Sequence, residues 1–155
     1  NGIVITNNWI CTEDGLRTAE FTNQGMSKDM KFEMETLKSE GVTIPKTLET
    51  GKEWNASYDV KVKLNAAGLS TAADGDDKVT NKVAAIDEPL SIDGKEYKTA
   101  KIDSDIKIVV TMNGRRTEAA TVKVTNWYAK DIGLVKQVTA GALGKQTVEY
   151  SGANN

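Results

Sequence analysis

Histidine is absent from this sequence. That removes Ser-His-Asp and Cys-His nucleophile pairs, histidine-bound zinc and histidine proton shuttles from consideration. Cysteine occurs once, at Cys11, so no disulfide forms within the chain, and a lone thiol fits either redox compartment. The anionic neighbours Glu13 and Asp14 oppose thiolate formation, and Cys11 is expected to be a small buried hydrophobe. No apolar run approaches the ~18 residues of a membrane-spanning helix. The sequence opens on Asn1-Gly2 without a methionine or a leader pattern, as expected of a processed or trimmed product. Net charge is −2, so neither a nucleic-acid backbone nor an anionic membrane is expected as partner.

What is present is alternation. Trp54, Ala56, Tyr58, Val60, Val62 and Leu64 occupy every second position, with Asn55, Ser57, Asp59, Lys61, Lys63 and Asn65 between them. A helix would scatter those apolar groups around its axis, whereas a strand puts them on one face. Ala100, Ile102, Ile106, Ile108 and Val110 repeat the pattern, with Ser104 the polar exception in the row. Asn113-Gly114 follows and predicts a type I′ turn into a partner strand over 117–128. Residues 3–22 read as a hairpin turning at Glu13-Asp14-Gly15, and Met30, Phe32 and Met34 alternate with charged residues toward a stop at Ser39-Glu40-Gly41, which favours a strand with helix as its competitor. Ile44-Pro45 predicts an extended connection, 79–86 a strand, and Asp93-Gly94 a tight turn. Strands are also expected over 133–139 and 147–150. Ala66 to Lys78 is expected to be a loop, Asp87-Glu88-Pro89 a break, Ala140 to Gly144 a small-residue turn and Ser151 to Asn155 a frayed end.

With 155 residues, 39% hydrophobic and 27% charged, one soluble β-rich domain is expected over 1–155. Seven to nine hairpin-joined strands make the expected fold all-β, a curled antiparallel sheet or a partly open β-barrel.

Three blocks carry a resemblance. They are Leu48-Glu49-Thr50-Gly51-Lys52-Glu53-Trp54, then Ile92-Asp93-Gly94-Lys95-Glu96-Tyr97-Lys98-Thr99-Ala100-Lys101-Ile102, then Asn126-Trp127-Tyr128-Ala129-Lys130-Asp131-Ile132-Gly133-Leu134-Val135-Lys136. Together they resemble the TapB-like family, a group of exported, β-rich bacterial envelope proteins and lipoproteins of unknown function. The last block is the most specific, and the ordered set covers roughly residues 44–138. Asn8-Trp9-Ile10-Cys11 before Asp14-Gly15-Leu16 is similar to the family's middle region. The resemblance implies an extracytoplasmic location, a curved antiparallel sheet, and further strands preceding this segment in a longer parent. It implies no activity and no cofactor. Read from the residues alone, the last block is a strand-turn-strand corner in which Gly133 supplies a positive φ or a close backbone approach.

Other candidates have plainer explanations. Asp74-Gly75-Asp76-Asp77 offers carboxylates to calcium, but the spacing is not that of an EF-hand loop and a solvated turn is expected. Asn55-Ala56-Ser57 matches a glycosylation sequon on a polar strand face. Asp103 and Asp105 are expected to pair with Lys101 and Lys107 rather than do acid-base work. Gly51-Lys52 and Gly144-Lys145 lack the glycine spacing of a phosphate loop. No enzymatic reaction is expected. The first functional expectation is an envelope-associated module binding a lipid, glycan or protein, with Trp54, Tyr58, Trp127 and Tyr128 as its lining. The second is a homo-oligomeric subunit of an extracellular filament or surface layer, built by strand donation from Ile3, Val4 and Ile5.

Overall fold

The computed structural model describes residues 3–26, 30–66, 69–141 and 144–150. The expectations for Ser151–Asn155 and for the tip of the 140–144 turn lie outside them. The described residues form ten strands: β1 (Ile3–Thr12), β2 (Gly15–Met26), β3 (Met30–Gly41), β4 (Ile44–Pro45), β5 (Glu53–Ala66), β6 (Leu69–Ile92), β7 (Lys95–Met112), β8 (Arg115–Ala129), β9 (Gly133–Gly141) and β10 (Gly144–Glu149). Hydrogen bonding follows chain order from β1 to β10, except that β4 leaves the path to pair with β2. The all-β antiparallel expectation holds. No helix among the described residues is long and apolar enough to cross a membrane.

The chain forms two compact units. One comprises Asn1–Lys46, Asn55–Lys78 and Lys107–Ala119; the other comprises Thr47–Trp54, Val79–Ile106 and Ala120–Asn155.

In the first unit the β5 alternation does what its spacing predicts. Ala56 and Val60 are buried, whereas Asn55, Asp59 and Lys63 are exposed. β3 pairs along β5 from Met30↔Ala66 to Gly41↔Ala56, with one register shift between Thr36 and Lys38. The two-residue β4 clips onto the start of β2 through Leu16↔Ile44 and Gly15↔Pro45. Thr43 ties the clip inward: its Oγ1 accepts the Thr18 N–H at 2.9 Å and donates to Thr18 Oγ1 at 3.2 Å. With that proton committed, Thr43 Oγ1 accepts from the Tyr58 hydroxyl at 3.0 Å.

In the second unit Ile92, Ala129 and Val135 form the core, with Leu90, Tyr97 and Trp127 packed against it. Here alternation changes sides. On β6 the buried residues are odd-numbered through Val79, Asn81 and Val83, then even-numbered at Ile92. Asp87, at φ 55, lies between the two sets. A left-handed residue inside a strand marks a bulge, which flips every later side chain to the other face. The expected break at Asp87-Glu88-Pro89 is therefore a kink within one continuous strand. Ser104, the polar exception, is buried because it donates to Asn81 Oδ1 at 2.6 Å.

Two more expectations are corrected. Residues 67–68 lie outside the described ones, and of the expected loop from Ala66 to Lys78 the residues from Leu69 on are strand, since β6 begins there and runs 24 residues. Its neighbours β5 and β7 supply pairing partners on both sides, and that outweighs the poor strand propensity of Asp and Gly. Cys11 is exposed rather than buried. It lies on β1, which pairs with β2 alone among the described strands, so little packs over its side chain.

The turns follow their chemistry. Asn113 and Gly114 have φ of 51 and 74, the two positive values a type I′ turn needs, and Asp93-Gly94 repeats them at 51 and 77. Gly133, at φ 97, supplies the expected positive value at the corner after β8.

Candidate functional site

In the second unit Trp127 is met by side chains from several strands. β8 carries it between β7 and β9. The register opposes Trp127 to Lys136 but Tyr128 to Leu134, so β9 holds one extra residue at this point. The shift lets Val135 enter the core while Lys136 still reaches the indole. Lys136 Nζ lies 5.8 Å from the ring centroid and Lys101 Nζ, from β7, lies 5.4 Å from it. The indole Nε1–H donates to Glu88 Oε1 at 3.1 Å.

Each lysine also has a carboxylate. Lys101 lies 3.9 Å from Glu88, and Lys136 lies 2.6 Å from Glu149. Five successive strands, β6 to β10, thus contribute Glu88, Lys101, Trp127, Lys136 and Glu149 to one transverse row of matched charge around a single ring. Each ammonium is worth roughly 0.5–1 kcal/mol against the aromatic face at such partly open sites. Both neighbouring strands crowd the indole with lysines, so the row serves sheet packing better than ligand stacking.

The other expected lining residues are placed differently. Trp54 and Tyr128 belong to the same unit as Trp127, whereas Tyr58 belongs to the first unit. Trp54 is half-buried, and its Nε1 has no hydrogen-bond partner among the described residues. Tyr58 is engaged by Thr43. Ile3, Val4 and Ile5 lie in β1, opposite Gly25, Gln24 and Asn23 of β2.

The carboxylate candidates also resolve. Asp103 accepts from Thr125 Oγ1 at 2.7 Å, and Asp105 pairs with Lys123 at 3.3 Å. Their partners lie across on β8 rather than on β7 itself, because cross-strand neighbours on one face are closer than residues two apart along a strand. In the 74–77 segment Asp74 is exposed and Asp76 pairs with Arg116 at 2.8 Å. No group of three or more potential metal ligands converges among the described residues. Lys52, beside Gly51, donates to the Thr47 carbonyl at 2.8 Å. Asn55 of the sequon is exposed on β5.

Asp77, expected with its neighbours to be a solvated turn residue, is instead largely buried on β6. Its Oδ1 is buried without a hydrogen-bond partner among the described residues. Burial, and then the Asp76 carboxylate beside it, push the Asp77 carboxyl up to about 6. The folded state therefore holds this proton more tightly than the unfolded chain does. Stability from this group is fully present below pH ~4 and is lost as pH rises through about 6. With solvent screening discounted, the loss is about 2 kcal/mol. Asp77→Asn is expected to match the parent near pH 4 and to exceed it by about 2 kcal/mol near pH 8, read from paired urea midpoints. An equal gap at both pH values refutes the assignment.

The chain matches the DUF3108-like family model over residues 6–146. No curated protein and no solved structure matches it. The matched range includes all three sequence blocks quoted above and every member of the Trp127 row except Glu149. The chain is a member of the DUF3108-like family.

Proposed function

We propose that this chain is a non-catalytic, extracytoplasmic binding domain of the TapB-like type that engages a protein along an edge of its sheet. One observation carries the reading: among the described strands β1 pairs with β2 alone, and a strand hydrogen-bonded on one side can take a partner's strand on the other. Two further observations favour a protein over a lipid or glycan. Trp127 is flanked by lysines and Tyr58 is bonded to Thr43, so both serve the sheet itself. Asp103 and Asp105, the carboxylates nearest to an acid-base pair, are committed to Thr125 and Lys123, in keeping with a non-catalytic role. The extracytoplasmic placement is supported by the TapB-like blocks within 44–138.

The alternative, a filament or surface-layer subunit built from Ile3, Val4 and Ile5, uses the same strand. Because β1 is already paired with β2, adding a strand to its edge requires less rearrangement than donating it. Fractionation of the full gene product, together with thermal melts against phospholipid vesicles and soluble glycans, tests the reading. The expected outcome is an extracytoplasmic protein whose Tm neither additive raises. Recovery in the cytoplasm, or a clear rise with either additive, overturns it.

A further inference from the structure

We infer that Asn113, at the tip of the β7–β8 hairpin, is a self-modification site: it loses ammonia through a cyclic imide and becomes a mixture of aspartate and isoaspartate. The inference is independent of the edge-binding reading above. β7 ends at Met112 and β8 begins at Arg115, so Asn113 and Gly114 belong to neither strand. Both are exposed, as are Met112, Arg115 and Arg116 around them. A Cβ added to Gly114 would meet nothing within 4 Å. Water and hydroxide therefore reach the pair, and no side chain beside the Gly114 nitrogen hinders its attack.

The chemistry needs only these two residues and solvent. Hydroxide takes the Gly114 N–H proton, and the nitrogen attacks Asn113 Cγ. The new N–Cγ bond forms, the Cγ–Nδ2 bond breaks, and the departing nitrogen takes a proton from water and leaves as ammonia. Water then opens the five-membered ring at either carbonyl. One opening restores the ordinary backbone with an aspartate side chain. The other routes the main chain through the side-chain carbons and leaves isoaspartate. The fold sets the rate. Asn113 is left-handed, at φ 51, and at the ψ of about +47° typical of that region the Gly114 nitrogen points away from the side chain. Ring closure thus proceeds from an opened tip, and a two-residue connection outside both strands opens at small cost. The turn accommodates the aspartate product, because Asp93-Gly94 makes the same turn at φ 51 and 77. It does not accommodate isoaspartate, whose extra main-chain methylene does not fit a two-residue turn. Every other described asparagine precedes a residue that bears a side chain, and Asp74-Gly75 is held inside β6.

Peptide mapping by mass spectrometry tests the inference on the full chain, incubated at mildly alkaline pH with and without urea. In the folded chain, peptides containing Asn113 should gain the mass that exchanging NH2 for OH brings, at a rate within about ten-fold of that in the urea-unfolded chain. Isoaspartate should be among the products, since direct hydrolysis of the side chain cannot give it. Gly114→Ala puts a methyl group beside the attacking nitrogen and should slow the conversion in urea, where folding of the variant does not bear on the result. Folded-chain conversion that is absent or more than about ten-fold slower than in urea overturns the inference. So do aspartate without isoaspartate, faster conversion at any other described asparagine, and a Gly114→Ala rate equal to the parent's.

Discussion

Replacing Trp127 by alanine is expected to lower the unfolding free energy by about 3–5 kcal/mol, the range for removing a large aromatic from a packed site. That is a large share of the roughly 5–15 kcal/mol that holds an ordinary domain together. The change removes the ring from the Ile92, Ala129 and Val135 cluster, removes the donor to Glu88, and leaves Lys101 and Lys136 facing a void. Trp127→Phe separates these contributions. It keeps an aromatic ring and loses the N–H donation, with a cost of about 1–2 kcal/mol. Lys101→Met and Lys136→Met should each cost less, about 0.5–1 kcal/mol. Urea midpoints at unchanged m-value check the order. Lysine variants as damaging as Trp127→Ala would show that charge, rather than packing, sets the value of the row.

The second large effect is Gly15→Ala, expected to cost about 3 kcal/mol from backbone strain and overpacking together. Gly15 has φ 144, a backbone region almost confined to glycine. A Cβ there overlaps the Ile44 carbonyl oxygen and falls 2.7 Å from Lys46 N and 2.9 Å from Pro45 C. All three are main-chain atoms, so no rotamer change relieves the contact. The β4 clip must move, which pulls on the Thr43 N–H bond to Leu16 O and the Lys46 N–H bond to Asp14 O. Gly94→Ala is the control. Gly94 also has positive φ, at 77, but nothing lies within 4 Å of its added Cβ. It should cost about 1 kcal/mol from the left-handed conformation alone. Equal costs at the two sites would mean that close approach of β4 contributes nothing.

Much of the fold is legible residue by residue. Trp54 to Leu64 alternates without a break, so the strand and its buried side follow from spacing. Asn113-Gly114 and Asp93-Gly94 declare their turns because few other residue pairs adopt two consecutive positive φ values. The remainder was illegible for physical reasons. The first half of β6 looks like a loop because Asp and Gly are poor strand formers, and only its neighbours on either side hold it extended. The side-switch at Asp87 has no fixed sequence mark, since a bulge depends on the opposing strand as much as on its own residues. The exposure of Cys11 depends on its strand's place in the pairing order, which a local pattern does not encode.

The site follows the same division. Trp127 stands out as an aromatic at a strand end, but its partners come from other strands, and spacing along one strand does not reveal them. Two signals were available: Lys101 lies in the second resemblance block, and Lys136 closes the third. Glu88 lies inside Asp87-Glu88-Pro89, a breaker pattern, although it supplies the indole's acceptor.

Two-residue alternation, interrupted at defined bulges, chooses which side chains reach the core. Backbone NOESY on the isotopically labelled protein tests this most directly at β8 and β9. Cross-strand contacts should connect Trp127 to Lys136 and Tyr128 to Leu134, skipping a direct partner for Val135. An unbroken register that sets Tyr128 opposite Val135, or helical contacts three residues apart through this stretch, would contradict it.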